Sequence, residues 1–168
     1  MPKIIENLQE RLIQETRRQI HQQGYSATTI RSVAQGCGVG VGTVYNYFPS
    51  KDALIAGFML EDWNLCVAAI EAQSRESEDP RAVCACIHRQ LKDFARQNER
   101  LFRDQSAVAS SSASFSRYHA MLRSQLARAL EKFCGSGFPA EFTAEALLSW
   151  TMAGKEFDEI YGMIEKLF

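Results

Sequence analysis

The stretch Gly24-Tyr25-Ser26-Ala27-Thr28-Thr29-Ile30-Arg31-Ser32-Val33-Ala34-Gln35-Gly36-Cys37-Gly38-Val39-Gly40-Val41-Gly42-Thr43-Val44-Tyr45-Asn46-Tyr47-Phe48-Pro49-Ser50-Lys51 carries more information than any other part of this 168-residue chain. Gly24 stops a preceding helix, and Thr28 or Thr29 offers a hydroxyl to cap the next one. Ile30, Val33 and Ala34 give that short helix one inward face. Gly38 permits the positive φ of a tight turn, and Val39 plugs the turn into a core. A second short helix begins near Val41, with Val44 and Phe48 four apart and facing inward, so that Gly42, Thr43, Tyr45, Asn46 and Tyr47 face largely outward. Two short helices about a glycine turn predict a helix-turn-helix, whose second helix is built to enter a DNA major groove.

The outward residue types suit a duplex. Hydroxyls of Thr29, Thr43 and Tyr47 and the charge of Lys51 match phosphate oxygens, which set register. Asn46 matches adenine edges, and Thr43 or Val41 a thymine methyl. Gly42 allows close approach of a backbone, and Arg31 suits a phosphate or a guanine. The glycines at 36, 38, 40 and 42 do not spell a nucleotide loop: no G-x-G-x-x-G is present, no strand precedes them and no Gly-Lys-Ser/Thr follows.

The flanking sequence is helical throughout. The 3.6-residue period predicts a helix from Ile4 to Gln23, another from Ser50 to Ser74, and a polar break over Arg75–Pro80. Further helices are expected over Arg81–Phe102 and Tyr118–Phe133, with Ser106–Ser116 as a loop between them. A last helical stretch over Ala140–Leu167, bent at Gly154, follows Cys134-Gly135-Ser136-Gly137. The fold class expected is all-α, with domains at 1–51 and 52–168. Residues 1–51 hold 6 Lys+Arg against 3 Asp+Glu, whereas the whole chain nets −1. A modestly basic first third therefore joins an acidic remainder.

The block above resembles the N-terminal domain of the TetR family of bacterial transcriptional regulators. Thr-Thr-Ile-x-x-Val-Ala, Gly-Val, Gly-Thr-Val-Tyr-x-Tyr-Phe and Ser-Lys-x-x-Leu carry the resemblance, which covers about residues 5–58. It implies an N-terminal three-helix DNA-binding domain and a C-terminal helical ligand-binding and dimerisation domain. DNA contacts would fall on Thr29, Arg31, Val41, Gly42, Thr43, Tyr45, Asn46, Tyr47 and Lys51. The family often has Ser and a polar residue where this chain has Gly40 and Val41, a departure that bears on affinity and operator sequence. The partners implied are a double-stranded palindromic operator, a second copy of the chain and a small apolar effector that releases a repressor.

Two surfaces are expected in the remainder. Ala146, Trp150, Ala153, Phe157, Ile160, Ile164 and Leu167 are spaced 4, 3, 4, 3, 4, 3, a helix-contact seam that suits a homodimer interface. Pocket walls would come from Phe58, Trp63, Cys66, Cys84, His88, Leu91, Phe94, Phe102, Tyr118 and Trp150, with His119 and Met121 beside them; each also reads as plain core.

Other classes find less support. Cys84 and His88, four apart, form half of a soft-metal site, and Cys37 in the inter-helix turn is a conceivable redox group. A helical metal or redox sensor, and an interaction module that docks an acidic partner with its basic third, are the alternatives. No catalytic motif such as G-x-S-x-G or H-E-x-x-H occurs, so no enzyme and no cofactor are expected. Five scattered cysteines suit a reducing cytoplasm. The longest apolar run, Ala53–Leu60, is short for a membrane span, and the first 23 residues lack a signal-peptide pattern.

Overall fold

The computed structural model describes residues 7–104 and 112–168, with side chains from 119 onward in the second segment. Among the described residues all regular structure is helical: α1 Leu8–Ala27, α2 Ile30–Cys37, α3 Val41–Tyr45, α4 Lys51–Glu76, α5 Pro80–Gln97, α6 Glu99–Arg103, α7 Ser112–Cys134, α8 Phe138–Met152 and α9 Phe157–Ile164, then a 3-10 turn at Glu165–Leu167. The chain divides into two compact units. The first takes the described residues up to Asp62 with residues 98–104; the second takes Trp63–Gln97 and Ala113–Phe168. This division falls inside α4, and the segment after α5 belongs to the first unit.

The first unit closes on Leu8, Leu12, Ile13, Ile20, Val33, Ala34, Val44, Phe48, Leu54, Phe58 and Leu101, all buried. Polar side chains, Arg11, Arg17 and Gln19 among them, tie α1 to its neighbours. Arg11 donates to the Cys37 carbonyl at the end of α2 (3.1 Å). Arg17 donates to Asp62 Oδ1 (2.5 Å) and Glu61 Oε2 (3.1 Å) on α4. Gln19, buried, donates to the Ser32 carbonyl (3.0 Å). By length and composition α4 is able to cross a membrane, which counting unbroken apolar runs did not suggest. Its buried Leu54, Ile55 and Phe58 serve the first core instead, and its Glu61 and Asp62 both pair with Arg17 of α1.

The second unit packs α5 against α8 and α9 around Trp63, Ile70, Val83, Cys84, Ile87, Leu91, Leu126, Leu130, Leu147 and Leu148. Trp63 Nε1 donates to Gln125 Oε1 (2.6 Å), and Ser74 Oγ to the Ala129 carbonyl (2.7 Å), fixing α4 on α7. Three corrections to the sequence reading arise here. The helix expected over Arg81–Phe102 is interrupted at Asn98, which separates α5 from α6. The loop expected over Ser106–Ser116 lies partly outside the described residues, and from Ser112 onward the backbone is helical. The bend at Gly154 is a full break: Gly154 takes φ +83°, α8 ends at Met152 and α9 starts at Phe157.

That break undoes the continuous seam. Ile160 and Ile164 are buried within the second unit. Phe157 is half-buried beneath the Arg81 guanidinium (5.2 Å to the ring centre), beside a salt bridge from Arg81 to Asp158 (2.6 Å). Trp150 and Leu167 stand exposed. Ile160 and Ile164 are thus spent on the chain's own core, because α9 turns back onto α5 instead of prolonging α8.

Candidate DNA-reading surface

α1 is interrupted where the glycine signal points: inside it, Gly24 leaves helical geometry at φ +84°. Of the two threonines, Thr28 is buried and donates to the Gly24 carbonyl (2.8 Å), and Thr29 is the cap. Its Oγ1 accepts from Ser32 N (3.0 Å) while Ser32 Oγ accepts from Thr29 N (3.0 Å), a reciprocal capping box. Because Thr29 Oγ1 acts as an acceptor in the cap, its own proton can be donated outward. Arg31 is exposed one residue into α2.

The turn is a Schellman closure. Gly38 takes φ +69°; its N–H bonds the Gln35 carbonyl (3.1 Å), and Val39 N–H bonds the Ala34 carbonyl (3.0 Å). Val39 packs on the first core, which sets the direction in which α3 departs. α3 is short, five residues, and continues as a turn through Phe48, whose N–H bonds the Val44 carbonyl (2.9 Å). A helix of this length has little stability of its own, so its anchors hold it. Val44 is 0% and Phe48 7% exposed, against 54% for Tyr45 and 46% for Tyr47. Gly42 and Asn46 are exposed and Thr43 is half-exposed. The polar side of α3 therefore faces solvent over an apolar anchor, and the site residues Thr29, Arg31, Gly42, Thr43, Tyr45, Asn46 and Tyr47 all lie on exposed or half-exposed surface of the α2–α3 pair and the turn after it.

Two expected contacts are placed differently. Val41 is half-buried and leans on the core, so its methyls serve the fold first. Lys51 Nζ donates to the Tyr25 carbonyl (2.8 Å) and lies 3.5 Å from the centre of the Tyr25 ring, while Tyr25 Oη donates to Asp52 Oδ1 (2.9 Å). Lys51 and Tyr25 thus clamp the start of α4 to the end of α1, and burial pushes the Lys51 pKa down. Sequence reasoning missed Tyr25, Arg11 and Gln19 as supports of this surface. Tyr25, directly after the helix-stopping Gly24, was the available signal. No Asp or Glu occurs between Glu15 and Asp52, so the whole α2–α3 segment is free of acidic side chains.

The other candidate residues sort by unit. Phe58 is fully buried in the first core, and Phe102 of α6 is half-buried there. Trp63, Cys66, Cys84, His88, Leu91 and Phe94 are buried in the second unit; Trp150 is exposed on α8, and the Tyr118 side chain lies outside the described residues. His88 Nε2 lies 3.0 Å from the Lys155 carbonyl, and burial pushes the Cys84 thiol up to about 12, which opposes thiolate ligation. Among the described residues no group of three or more His, Cys, Asp or Glu is placed to hold a metal. Cys37 is buried and its thiol pKa is raised by that burial, which opposes redox reactivity.

Residues 12–57 match the family described as bacterial regulatory proteins, tetR family. Over 51 residues the chain is 39% identical to the uncharacterized HTH-type transcriptional regulator YuxN of Bacillus subtilis (strain 168), covering 30% of this chain and 18% of that protein. The matched region thus spans under a fifth of that relative's length. Among solved structures, a protein of Streptomyces coelicolor A3(2) aligns over 96% of this chain and 98% of its own at 15% identity, with a TM-score of 0.73. Thermus thermophilus FadR, a TetR-family transcriptional repressor solved with lauroyl-CoA, aligns over 95% and 92% at 18% identity, with a TM-score of 0.65. At such identities these two speak for the fold, which is all-α with a helix-turn-helix at its N-terminal end. Over residues 12–57, then, the chain is similar to the N-terminal domain of the bacterial regulatory proteins of the tetR family.

Proposed function

We propose that the chain is a cytoplasmic transcriptional repressor that binds a palindromic operator as a homodimer and is released by a small apolar effector. One observation carries the DNA-reading part: Asn46, Tyr45 and Tyr47 face outward while Val44 and Phe48 hold the same short segment from behind. In this reading Thr29, Thr43 and Tyr47 set register on phosphates, and Asn46 reads base edges. Dimerisation would use α8, where Phe138, Phe142 and Trp150 are 77%, 50% and 54% exposed and the first two rings lie 6.0 Å apart. Two recognition helices about 34–36 Å apart then meet successive major grooves of one operator. The effector would act on the second unit by population shift, with α4, which runs from one unit into the other, as the link. Moving such an equilibrium from 1:99 to 99:1 takes about 5.5 kcal/mol of differential affinity.

The test is selection of bound duplexes from fragmented source-genome DNA at controlled salt, followed by gel shift. The expected result is a palindromic consensus bound more tightly as salt falls. Failure to recover any preferred sequence at low salt would sink the DNA-reading assignment.

A further inference from the structure

Acidic and basic residues are equal in number across residues 7–62 and 98–104, so the first unit has no surplus of positive charge with which to hold a duplex. What matters is which cations are already committed. Arg11 is used on the Cys37 carbonyl. Arg17 lies between Glu61 and the nearly buried Asp62. Arg18 forms two bonds to Glu15, from Nε (2.8 Å) and Nη2 (2.5 Å), and a third to Gln22. Lys51 is clamped to Tyr25. Arg100 donates to the His21 and Gln22 carbonyls (2.8 and 2.9 Å), and Arg103 pairs with Glu99 (2.7 Å). Among the described residues of this unit, Arg31 is left: it is exposed, and no hydrogen bond or ion pair engages it. It sits two residues from the capping Thr29, inside the segment devoid of acidic residues.

We infer that, among the described residues of the first unit, Arg31 carries most of the ionic component of DNA binding, and that its neighbours on the α2–α3 surface contribute neutral hydroxyl, amide and aromatic contacts. This inference rests on the DNA-reading proposal above and narrows it. Each phosphate neutralised contributes about −0.9 to the slope of log affinity against log salt, so two Arg31 side chains in a dimer give a slope near −2. Raising salt from 50 to 200 mM then weakens binding roughly tenfold, where a protein with 6–10 phosphate contacts loses about 10³–10⁵.

The experiment measures affinity by fluorescence anisotropy at four salt concentrations. It uses the full chain, Arg31→Gln and Arg18→Gln, with a duplex recovered by selection from source-genome fragments. Circular dichroism first checks that each variant is folded, which the solvent-exposed position of Arg31 favours. Expected is a shallow wild-type slope, more than half of it lost in Arg31→Gln and little of it lost in Arg18→Gln. A wild-type loss of about 10³ or more over that range, or an Arg31→Gln slope retaining more than half of the wild-type value, overturns the inference while leaving DNA reading intact. Absence of any duplex bound in preference to others strikes the underlying proposal instead.

Discussion

Gly42→Ala separates what the fold asks of α3 from what a partner asks of it. Gly42 lies inside the helix, its φ is not positive, and a Cβ built there meets nothing within 4 Å. Nothing within the protomer therefore calls for glycine. In a helix interior alanine is favoured by roughly 0.8–1 kcal/mol. A five-residue helix near its first turn should realise about half of that, a Tm rise of roughly 1–2 °C for a chain of this size. If a DNA backbone packs against Gly42, the added methyl intrudes on a close contact. Wedging a methyl into a packed interface costs about 1–3 kcal/mol, or roughly 5- to 150-fold in affinity. Stability and affinity should therefore move in opposite directions. Circular dichroism melts read the first, and anisotropy on the selected duplex reads the second. Gly36→Ala is the contrast, since a Cβ there meets the Glu15 side chain inside the protomer, which must swing away at the expense of its bonds from Arg18 and Gln19. A Gly42→Ala protein that is at least as stable and binds DNA as tightly as the parent would refute the placement of α3 against a duplex.

Three further outcomes are expected. Thr29→Ala removes the α2 cap and lowers stability by about 1 kcal/mol, read by urea unfolding, while Thr29→Ser keeps the bond to Ser32 N and most of that stability. Tyr47→Ala weakens binding to all sequences alike, whereas Asn46→Ala relaxes choice at particular base pairs, as scored on a panel of single-substitution operators; equal loss everywhere for both contradicts the roles assigned. Hydrogen bonding from Arg18 holds the Glu15 carboxyl below its ordinary range. That contribution to stability is present in full above the usual glutamate pKa and is lost as pH falls through the lower folded value. Glu15→Gln should therefore show a flatter acid limb in a plot of unfolding midpoint against pH, and an unchanged limb would count against the pairing.

The helix-turn-helix was legible in the chain because its determinants are local. A positive φ at Gly38, a hydroxyl before α2 and the four-residue spacing of Val44 and Phe48 act within a few residues of one another. The outward placement of Tyr45, Asn46 and Tyr47 follows from that spacing alone. Choosing Thr29 over Thr28 as the cap was not legible, since both offer a hydroxyl, and packing that buries Thr28 decides between them.

The rest depended on which surfaces meet at long range. A 4-3 spacing from Ala146 to Leu167 is equally compatible with one long helix and with two helices folded back, and the backbone at Gly154 selects the second. Lys51 reads from sequence as an available cation; only the arrival of Tyr25, 26 residues earlier in the chain, commits it. Short-range periodicity and turn chemistry thus determined the helices and the outward face of α3. Tertiary structure decided which apolar side chains are spent on the core and which charges remain uncommitted, because burial and pairing depend on partners that sequence spacing does not name.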